Sequence, residues 1–355
     1  MNTWGNKIRL SIFGESHGPA LGIVIDGLSP GIELDFNVID FFIDRRRAGK
    51  NSFTSPRKEK DEYKILSGLK DGFTTGAPLC VIFENNNTIS RDYGNLEYLL
   101  RPSHADYPAK IKFNGFNDFR GGGHFSGRIS LALTFAGAIA KMLLKAKNIE
   151  IFSHIKKIKH IQDEVFSEQI DYDKLKKLEK MDLAFFNSEL EEETKKFLEK
   201  VRENGDSVGG EIECICLNLP VGLGSPFFDS LESKIAHLAF SVPAVKGIEF
   251  GIGFKFAEKF GSEVNDGYYL VDKKIKTKTN NNGGILGGLS TSMPLVFSVV
   301  IKPTASIALE QKTVNVKEMK EEVLKINGRH DACIVPRVLP VIEAVAALVI
   351  LDEIL

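Results

Sequence analysis

The feature that most constrains how this chain can fold is an internal duplication. Three pairs of segments match in order along its two halves: GESHG (14–18) with GDSVG (205–209), PGI (30–32) with PVGL (220–223), and GFTTGAPLCVIF (72–83) with GLSTSMPLVFSV (288–299). Each half then ends in an alanine-rich apolar segment with helical spacing. The repeat predicts one unit of sheet plus helix that is used twice.

Local patterns place the elements of this unit. In the first copy, β-branched runs predict strands at 8–13, 20–28, 63–69 and 78–84, and apolar residues at helical spacing predict helices at about 35–47 and 126–147. The two copies are expected at about 5–150 and 205–355. Between them, the charged patterns KLKKLEK and ELEEETKKFLEKVRENG predict a solvated helical insert at about 151–204. The long polar stretch at 48–60 is a candidate binding loop.

Four of the seven histidines lie in polar segments beside Gly, Ser or Asp: His17, His104, His124 and His330. An imidazole titrates near about pH 6.5 and can therefore give or take a proton at neutral pH. One such histidine is more often a structural hydrogen-bonding group, but several of them near arginines favour catalysis. The second copy has Val208 at the position of His17. This asymmetry favours a chemical role for His17.

Arginines accompany the same segments, although the chain as a whole is nearly neutral. Lys+Arg 46 against Asp+Glu 47 give a formal charge of −1, so an anionic ligand must be held by locally gathered cations. Those cations are Arg45, Arg46, Arg47, Arg101, Arg120, Arg128, Arg329 and Arg337. Guanidinium groups match carboxylate and phosphate oxygens in bidentate geometry. The pattern predicts a small polyanionic ligand, whereas Lys58 and Lys60 fit a solvated face.

Metal, membrane and nucleotide-motif sites are not favoured. The cysteines Cys80, Cys214, Cys216 and Cys333 have no Cys-x-x-Cys spacing and are expected to be core thiols, and the histidines show no zinc-type spacing. No cationic leader or sufficiently long apolar span is recognised, and neither a P-loop nor a dinucleotide fingerprint is present. The chain is therefore expected to be cytoplasmic and free of metal.

Nine segments taken together resemble the ordered signature of the chorismate synthase family. They are FGESHGPALGIVIDGLSPG, DRRRAGKNSFTSPRKEKDEYKILSG, RPSHADYPAKIKF, DFRGGGHFSGR, GDSVGG, AVKGIEFGIGF, NNGGILGG, IKPTASI and GRHDACIVPRVLPVIEA. The resemblance runs from residue 5 to the C-terminus and is least characteristic near 160–200. It implies an α+β fold, namely a β-α-β sandwich with internal pseudo-symmetry, and a homotetramer.

The resemblance also implies a reaction. In this family, 5-enolpyruvylshikimate 3-phosphate loses phosphate by a 1,4-anti elimination and becomes chorismate, in the last step of the shikimate pathway. The family requires reduced FMN although the reaction has no net redox change. An external flavin reductant is the expected partner, because no added reductase domain is visible, but the sequence leaves open an intrinsic NADPH-dependent reduction.

Family roles carry over to matching positions. By resemblance, His17 lies near the flavin and keeps its reduced form in the required protonation state, and His104 donates a proton to the departing phosphate. Asp331 matches the carboxylate that acts with flavin N5 in removing the substrate's ring proton. Ser16 and Ser126 match hydroxyls that support this relay.

Binding residues carry over in the same way. The positions that match FMN-binding segments are His124, Phe125, Ser126, Pro243, Ala244, Gly287, Lys302, Pro303, Thr304, Ala305, Ser306 and Arg329. The positions expected to bind the substrate's anionic groups are Arg46, Arg47, Arg120, Arg128 and Arg337. Pro243 departs from the Asn that the family often has, so only a backbone contact is expected there.

Two other classes of function remain alternatives. A flavin-dependent oxidoreductase acting on a small polyanion would use the same flavin and histidines, but it would consume reduced flavin stoichiometrically. A nucleic-acid-binding module would explain the basic segment at 45–60, but it would not need histidines in glycine-rich loops. Neither nucleic acid nor a membrane is an expected partner.

Overall fold

Two antiparallel sheets enclose a layer of helices in this protein, whose computed structural model describes residues 2–49, 60–85, 97–166, 170–326 and 331–355. The first half contains β1 (Thr3–Trp4), β2 (Arg9–Gly14), β3 (Ala20–Asp26), α1 (Phe36–Arg46), β4 (Tyr63–Ser67), β5 (Leu69–Lys70), β6 (Phe73–Thr74), β7 (Leu79–Glu84), α2 (Asp106–Lys112) and α3 (Ser130–Lys145). Short 3-10 helices at Arg120–Phe125 and Gly127–Ile129 precede α3.

The second half repeats this sequence of elements with additions. It contains β8 (Glu150–Ile158), β9 (Ile161–Gln162), α4 (Tyr172–Leu178), α5 (Glu189–Glu203), β10 (Gly210–Leu217), α6 (Leu231–Ala239), β11 (Val245–Phe250), α7 (Gly261–Val264), β12 (Tyr268–Val271), β13 (Lys274–Thr277), β14 (Ile285–Leu286), β15 (Leu289–Ser290), β16 (Leu295–Ile301), β17 (Gln311–Asn315), β18 (Lys320–Leu324) and α8 (Val335–Ile354). A further 3-10 helix lies at Gly253–Glu258.

The two large sheets have the same topology, as expected if the repeated sequence folds into the same unit twice. Within the described residues, their strand orders are β1-β2-β3-β7-β4 and β11-β16-β10-β8-β9. The orders β2-β3-β7-β4 and β8-β10-β16-β11 therefore correspond strand for strand, with β1 and β9 added at equivalent edges. The predicted α+β class is confirmed.

The correspondence extends to individual hydrogen bonds. In the first half, Thr74 Oγ1 accepts the Ile32 N–H at 2.9 Å, and the Thr74 N–H donates to the Ile32 carbonyl at 2.9 Å. In the second half, Ser290 Oγ accepts the Leu223 N–H at 2.9 Å, and the Ser290 N–H donates to the Leu223 carbonyl at 2.8 Å. These residues occupy matching positions of the repeated segments, so the two copies keep the same turn.

The layer between the sheets is centred on α3 and α8. Helix α3 contacts β3, α8 contacts β8 and β10, and the two helices pack on each other. A Cβ atom at Gly137 would lie 2.1 Å from the Cβ of Ala344, so glycine permits this close approach. Contrary to expectation, Gly127–Lys145 is apolar and long enough to cross a membrane, but 67% of its most apolar window is buried inside the protein.

The expected insert at 151–204 needs correction at its start. Residues 150–158 form β8, whose Ile151, Phe152 and Ile155 are buried in the core. Charged neighbours such as Lys156 and Lys157 obscure this strand pattern in the sequence. The second copy therefore begins at β8, and the helical insert containing α4 and α5 occupies the β8–β10 connection. Its place corresponds to the short β2–β3 turn that carries His17.

Candidate active site

A cavity of about 950 Å³ lies where segments of both halves meet. Its lining comes from β1, β2, the C-terminal end of α1, residues 101–105 and 121–130, the α6–β11 connection, residues 302–306, Asp331 and the first turns of α8. Neither copy of the repeat provides this enclosure alone. The volume lies at the upper end of the range of about 300–1,000 Å³ for small-molecule sites, so two small ligands can share it.

Positive charge dominates the lining. Among the described lining residues there are seven permanent cations and two carboxylates: Arg46, Arg47, Arg101, Arg128, Lys246, Lys302 and Arg337 against Asp61 and Asp331. The whole chain carries a formal charge of −1, so this excess is local. The cavity is therefore suited to a ligand with several negative charges.

The glycine loop, residues 121–123, separates two of the candidate histidines. All three glycines have positive φ, at 56°, 91° and 52°. A Cβ atom at Gly121 would lie 2.1 Å from the His17 ring, and one at Gly122 would lie 3.0 Å from the His104 ring. The backbone can thus pass between His17 and His104 only because it carries no side chains.

The first of these histidines is held behind the loop by its neighbour. Ser16 Oγ lies 3.2 Å from His17 Nδ1 and within 3.2–3.3 Å of the Arg120 and Gly121 carbonyls. Its N–H donates to the Gly123 carbonyl at 3.1 Å. Both Ser16 and His17 are buried. His17 therefore lies directly behind the cavity wall formed by Gly121.

His104, by contrast, lines the cavity and is oriented by a carboxylate. Its Nδ1 lies 3.2 Å from Asp106 Oδ1, and Arg101 donates to both oxygens of the same carboxylate at 2.8 and 2.6 Å. Burial by itself would raise the pKa of Asp106, but the hydrogen bonds from His104 and Arg101 outweigh it and hold that pKa well below its usual range. The ionised carboxylate of Asp106 therefore lies beside the imidazole and favours one orientation of it.

Two arginines of the lining share a counter-ion that sequence reasoning missed. Asp61 lies 2.7 Å from Arg128 Nη1 and 3.7 Å from Arg46 Nη1. Arg46 also donates to Ser130 Oγ at 3.0 Å and to the Gly127 carbonyl at 2.9 Å. The guanidinium groups are therefore held in place before any ligand binds. Asp61 belongs to the matching DRRRAGKNSFTSPRKEKDEYKILSG segment, but no role was predicted for it.

Arg337 joins the two halves across the cavity. Its Nη1 donates to Asp331 Oδ2 at 2.7 Å, and its Nε donates to the Arg46 carbonyl at 3.0 Å. The carboxylate of Asp331 thus lies beside the C-terminal end of α1. Arg47, the next residue of that end, contacts Asp44 at 2.8 Å.

The segment 302–306 forms the wall beside Ala244. The Lys302 N–H donates to the Ala244 carbonyl at 2.9 Å, and Lys302 Nζ donates to the Ser103 carbonyl at 2.6 Å. Burial, together with the nearby Lys246 charge, lowers the pKa of Lys302. The two ammonium groups repel each other, so an anion bound between them would be stabilised by both. Pro243, Pro303, Thr304, Ala305 and Ser306 complete this wall.

The segment 124–126 presents three different groups. His124 Nδ1 lies 2.8 Å from the Gly14 carbonyl oxygen, and Nε2 lies 3.2 Å from Oδ1 of the Asn2 side chain. Phe125 lines the cavity and is 41% exposed. Ser126 caps the 3-10 turn, because its Oγ accepts the Arg128 N–H at 3.3 Å.

Among the described residues, four predicted site residues do not line the cavity: Ser16 and His17, which lie behind the glycine loop, and Arg120 and Gly287. Arg120 is bound by Asp118 at 2.8 Å and its side chain is 41% exposed outside the cavity. Gly287 lies in the turn between β14 and β15, away from the lining. Arg329, like His330 and most of the 48–60 stretch, lies outside the described residues. Lys246 and His237 line the cavity without having been predicted, although Lys246 belongs to the matching AVKGIEFGIGF segment.

Comparison with known proteins identifies the relatives of this chain. A family model described as chorismate synthase matches residues 8–355. The chain belongs to the chorismate synthase family. It is 44% identical to the chorismate synthase of Thermococcus gammatolerans over 99% of this chain and 97% of that protein, and 43% identical to that of Methanocaldococcus jannaschii over 99% and 96%. The resemblance stated from the sequence is confirmed.

A crystal structure of a chorismate synthase has the same fold. It superposes with a TM-score of 0.76 at 29% identity, covering 99% of this chain and 92% of that one. As a member of the chorismate synthase family, the protein is an enzyme with a small-molecule substrate. Among the described residues, no group of three or more His, Cys, Asp or Glu side chains could hold a metal ion.

Proposed function

We propose that this enzyme converts 5-enolpyruvylshikimate 3-phosphate to chorismate and phosphate, the last step of the shikimate pathway, by a 1,4-anti elimination that requires reduced FMN. In this carbon-oxygen lyase reaction a C–H bond and the C–O bond to phosphate break, a ring double bond forms, and phosphate departs. The observation that carries the proposal is the cation-rich cavity, in which His104 and Asp331 from different halves face one space. A substrate with two carboxylates and a phosphate matches that charge.

The cavity also fits FMN beside the substrate. Its volume of about 950 Å³ leaves room for both ligands, Phe125 adds an aromatic side chain to the lining, and Lys302 with Lys246 provides charge for a phosphate. The segments 124–126, 243–244 and 302–306 would hold the cofactor. Reduced FMN, when bound, supplies electron density that eases departure of the phosphate. A cationic site favours the anionic form of the reduced flavin.

The protein's own residues would divide the proton transfers. His104, fixed by Asp106, donates a proton to the departing phosphate. Asp331, held by Arg337, takes up the proton that leaves the ring. His17 lies behind the glycine loop and sets the electrostatic environment of the cofactor, while Ser16 holds that loop and Ser126 caps the turn that follows it. Arg46, Arg47, Arg128 and Arg337 would bind the substrate's anionic groups.

The decisive experiment is anaerobic turnover with dithionite-reduced FMN. Chorismate and phosphate should form in equal amounts while a catalytic quantity of reduced flavin persists. Consumption of one reduced flavin per substrate would support the oxidoreductase alternative, and absence of chorismate would refute the proposal. A parallel assay with NADPH and oxidised FMN tests for an intrinsic reductase, and no turnover there would show dependence on an external reductant.

Oxidised FMN should bind more tightly when the substrate is present. The two ligands would share one cavity, and each would organise side chains that the other contacts, which is a coupling free energy of about 1–3 kcal/mol. Titration of flavin fluorescence should therefore give a dissociation constant about 5- to 150-fold lower with saturating substrate. An equal constant in both titrations would argue against a shared cavity.

The Asp331→Asn substitution should lower turnover without weakening binding. Asparagine keeps the shape of the side chain but cannot accept the ring proton, so kcat should fall while substrate and FMN affinities change by less than about threefold. Steady-state kinetics and flavin titration measure both quantities. A substrate deuterated at the reacting ring carbon should show a larger isotope effect in the variant. A defect lying wholly in affinity would move Asp331 to a structural role.

We further propose that the protein is a cytoplasmic homotetramer. Large apolar side chains are exposed outside the cavity, including Phe227, Phe228, Tyr268 and Leu270. Burial of these exposed apolar side chains between subunits would favour association. Light scattering coupled to gel filtration should give four times the 39.3 kDa chain mass, and a monomeric mass would contradict the proposal.

A further inference from the structure

The turn at 205–209 is the second copy's counterpart of the turn that carries Ser16 and His17, and the proposed chemistry makes no use of it. Ser207 occupies the position of Ser16, and Val208 occupies that of His17. Ser207 is nearly inaccessible, with 9% of its surface exposed. A buried hydroxyl retained where the imidazole is absent requires its own explanation.

In the first copy, the serine of this turn supports a segment of the site. Ser16 Oγ lies within hydrogen-bonding distance of the carbonyls of Arg120 and Gly121, and the Ser16 N–H donates to the Gly123 carbonyl. These bonds fix the glycine loop, which leads into α3 and lies against His17 and His104. The turn therefore positions the segment that precedes the long helix of its own half.

In the second copy, the equivalent turn supports the segments around Asp331. Ser207 Oγ donates to the Thr304 carbonyl at 2.8 Å, and Thr304 Oγ1 donates to the Asp331 carbonyl at 2.9 Å. The Val208 N–H donates to the carbonyl of Ala332 at 2.8 Å. The backbone carbonyls of residues 331 and 332 are thus both tied to this turn, one through Thr304 and one directly.

We propose that Ser207 is a positioning residue for Asp331, an inference that rests on the proposed function. The carboxylate of Asp331 is oriented by Arg337, but its backbone is placed by the chain from Ser207 through Thr304. Without the Ser207 hydroxyl, the Thr304 carbonyl loses its donor and the Thr304 hydroxyl is no longer held against Asp331. Reacting groups tolerate little displacement, so the proton transfer slows.

The test compares Ser207→Ala with Ser207→Thr in the full-length protein, with reduced FMN and 5-enolpyruvylshikimate 3-phosphate. Ser207→Ala should lower kcat about 10-fold, because a misplaced reacting group slows the chemical step. Substrate KM and the FMN dissociation constant should change less than about twofold, and the isotope effect on loss of the ring proton should increase. Ser207→Thr keeps a hydroxyl and should recover most of the lost turnover.

A double-mutant cycle separates positioning from general damage. Once Asp331→Asn has removed the basic group, adding Ser207→Ala should lower kcat little further, because both substitutions act on one step. Ser290→Ala is the matched control: Ser290 is a buried serine of the same half that holds a backbone turn away from the cavity. It should lower thermal stability and leave the isotope effect unchanged.

The outcomes are distinguishable. Multiplicative losses in the cycle, or weaker FMN binding with wild-type kcat at saturation, would overturn the positioning role and assign Ser207 to support of the 302–306 segment alone. An active wild-type protein with an impaired Asp331→Asn variant and a fully active Ser207→Ala variant would overturn this inference while the proposed function stands. A wild-type protein that forms no chorismate would overturn both.

Discussion

Replacement of His104 with alanine should lower turnover by about 10²- to 10⁴-fold, the range for loss of a general acid. The imidazole lines the cavity beside Asp106, whose carboxylate Arg101 holds in place, so it is positioned to donate a proton to a ligand there. His17→Ala should cause a loss in the same range because it removes the imidazole behind Gly121. Anaerobic assays with saturating reduced FMN measure both effects.

A matched control is His160→Ala. His160 packs against Phe197 of the insert, with ring centroids 4.9 Å apart, and it does not line the cavity. This variant should retain wild-type turnover, and circular dichroism should show all three variants folded. Near-wild-type activity in the His104 or His17 variant would remove that residue from the proton-transfer scheme.

The largest effect on stability is expected at Glu343. This carboxylate is fully buried in the helical layer and contacts Arg45 at 2.7 Å and Lys141 at 2.6 Å. Ser153 Oγ donates to it at 2.7 Å. Glu343→Ala should lower the free energy of unfolding by about 3–5 kcal/mol, because it leaves two cations buried without their common partner.

Urea denaturation measures this loss, and Glu179→Ala provides the control. Glu179 also contacts Lys141, at 2.8 Å, but its side chain is 21% exposed, and Lys141 would keep Glu343 as a partner. The control should cost less than about 1 kcal/mol. Equal losses in the two variants would show that burial of the Glu343 charge pair is not what stabilises the helical layer.

The same carboxylate predicts an acid-dependent loss of stability. Burial opposes ionisation, but Arg45 and Lys141 outweigh it and lower the pKa of Glu343 from 4.5 to about 2. A folded-state pKa below the unfolded one means that the stabilisation is complete above about pH 4.5 and is lost as the pH falls toward 2. The wild-type protein should show this decline in denaturation midpoints, and Glu343→Gln should show less of it.

Much of the architecture could be predicted from the sequence because the two copies of the repeat share recognisable residues at their turns. The segments containing Thr74 and Ser290 match, and the structure gives them the same hydrogen bonds. Strand β8 was missed because Lys156 and Lys157 lie next to the charged insert, although residues 151–155 are all buried and the strand pairs with β10. Charged residues nearby in sequence therefore concealed strand β8, which is defined by its pairing with the distant strand β10.

The site was predicted less completely than the fold. Histidines and arginines in unusual glycine-rich settings can be found by residue type, and His104, Asp331 and Arg337 do meet at one cavity. Asp61 could not be found in this way, because a counter-ion is defined by what approaches it in space. Arg120 shows the converse, since its neighbour Asp118 binds it outside the cavity despite a matching motif.

The glycine loop restricts which substitutions could make the enzyme resistant to an inhibitor. Gly121 lines the cavity, yet any side chain there would project into the His17 ring, and one at Gly123 would lie 2.1 Å from the Asp118 carbonyl. Their positive φ values add strain for other residues. An inhibitor that binds against this stretch of backbone contacts a surface that a substitution at Gly121 cannot change without displacing His17. Resistance would therefore have to arise at other parts of the wall.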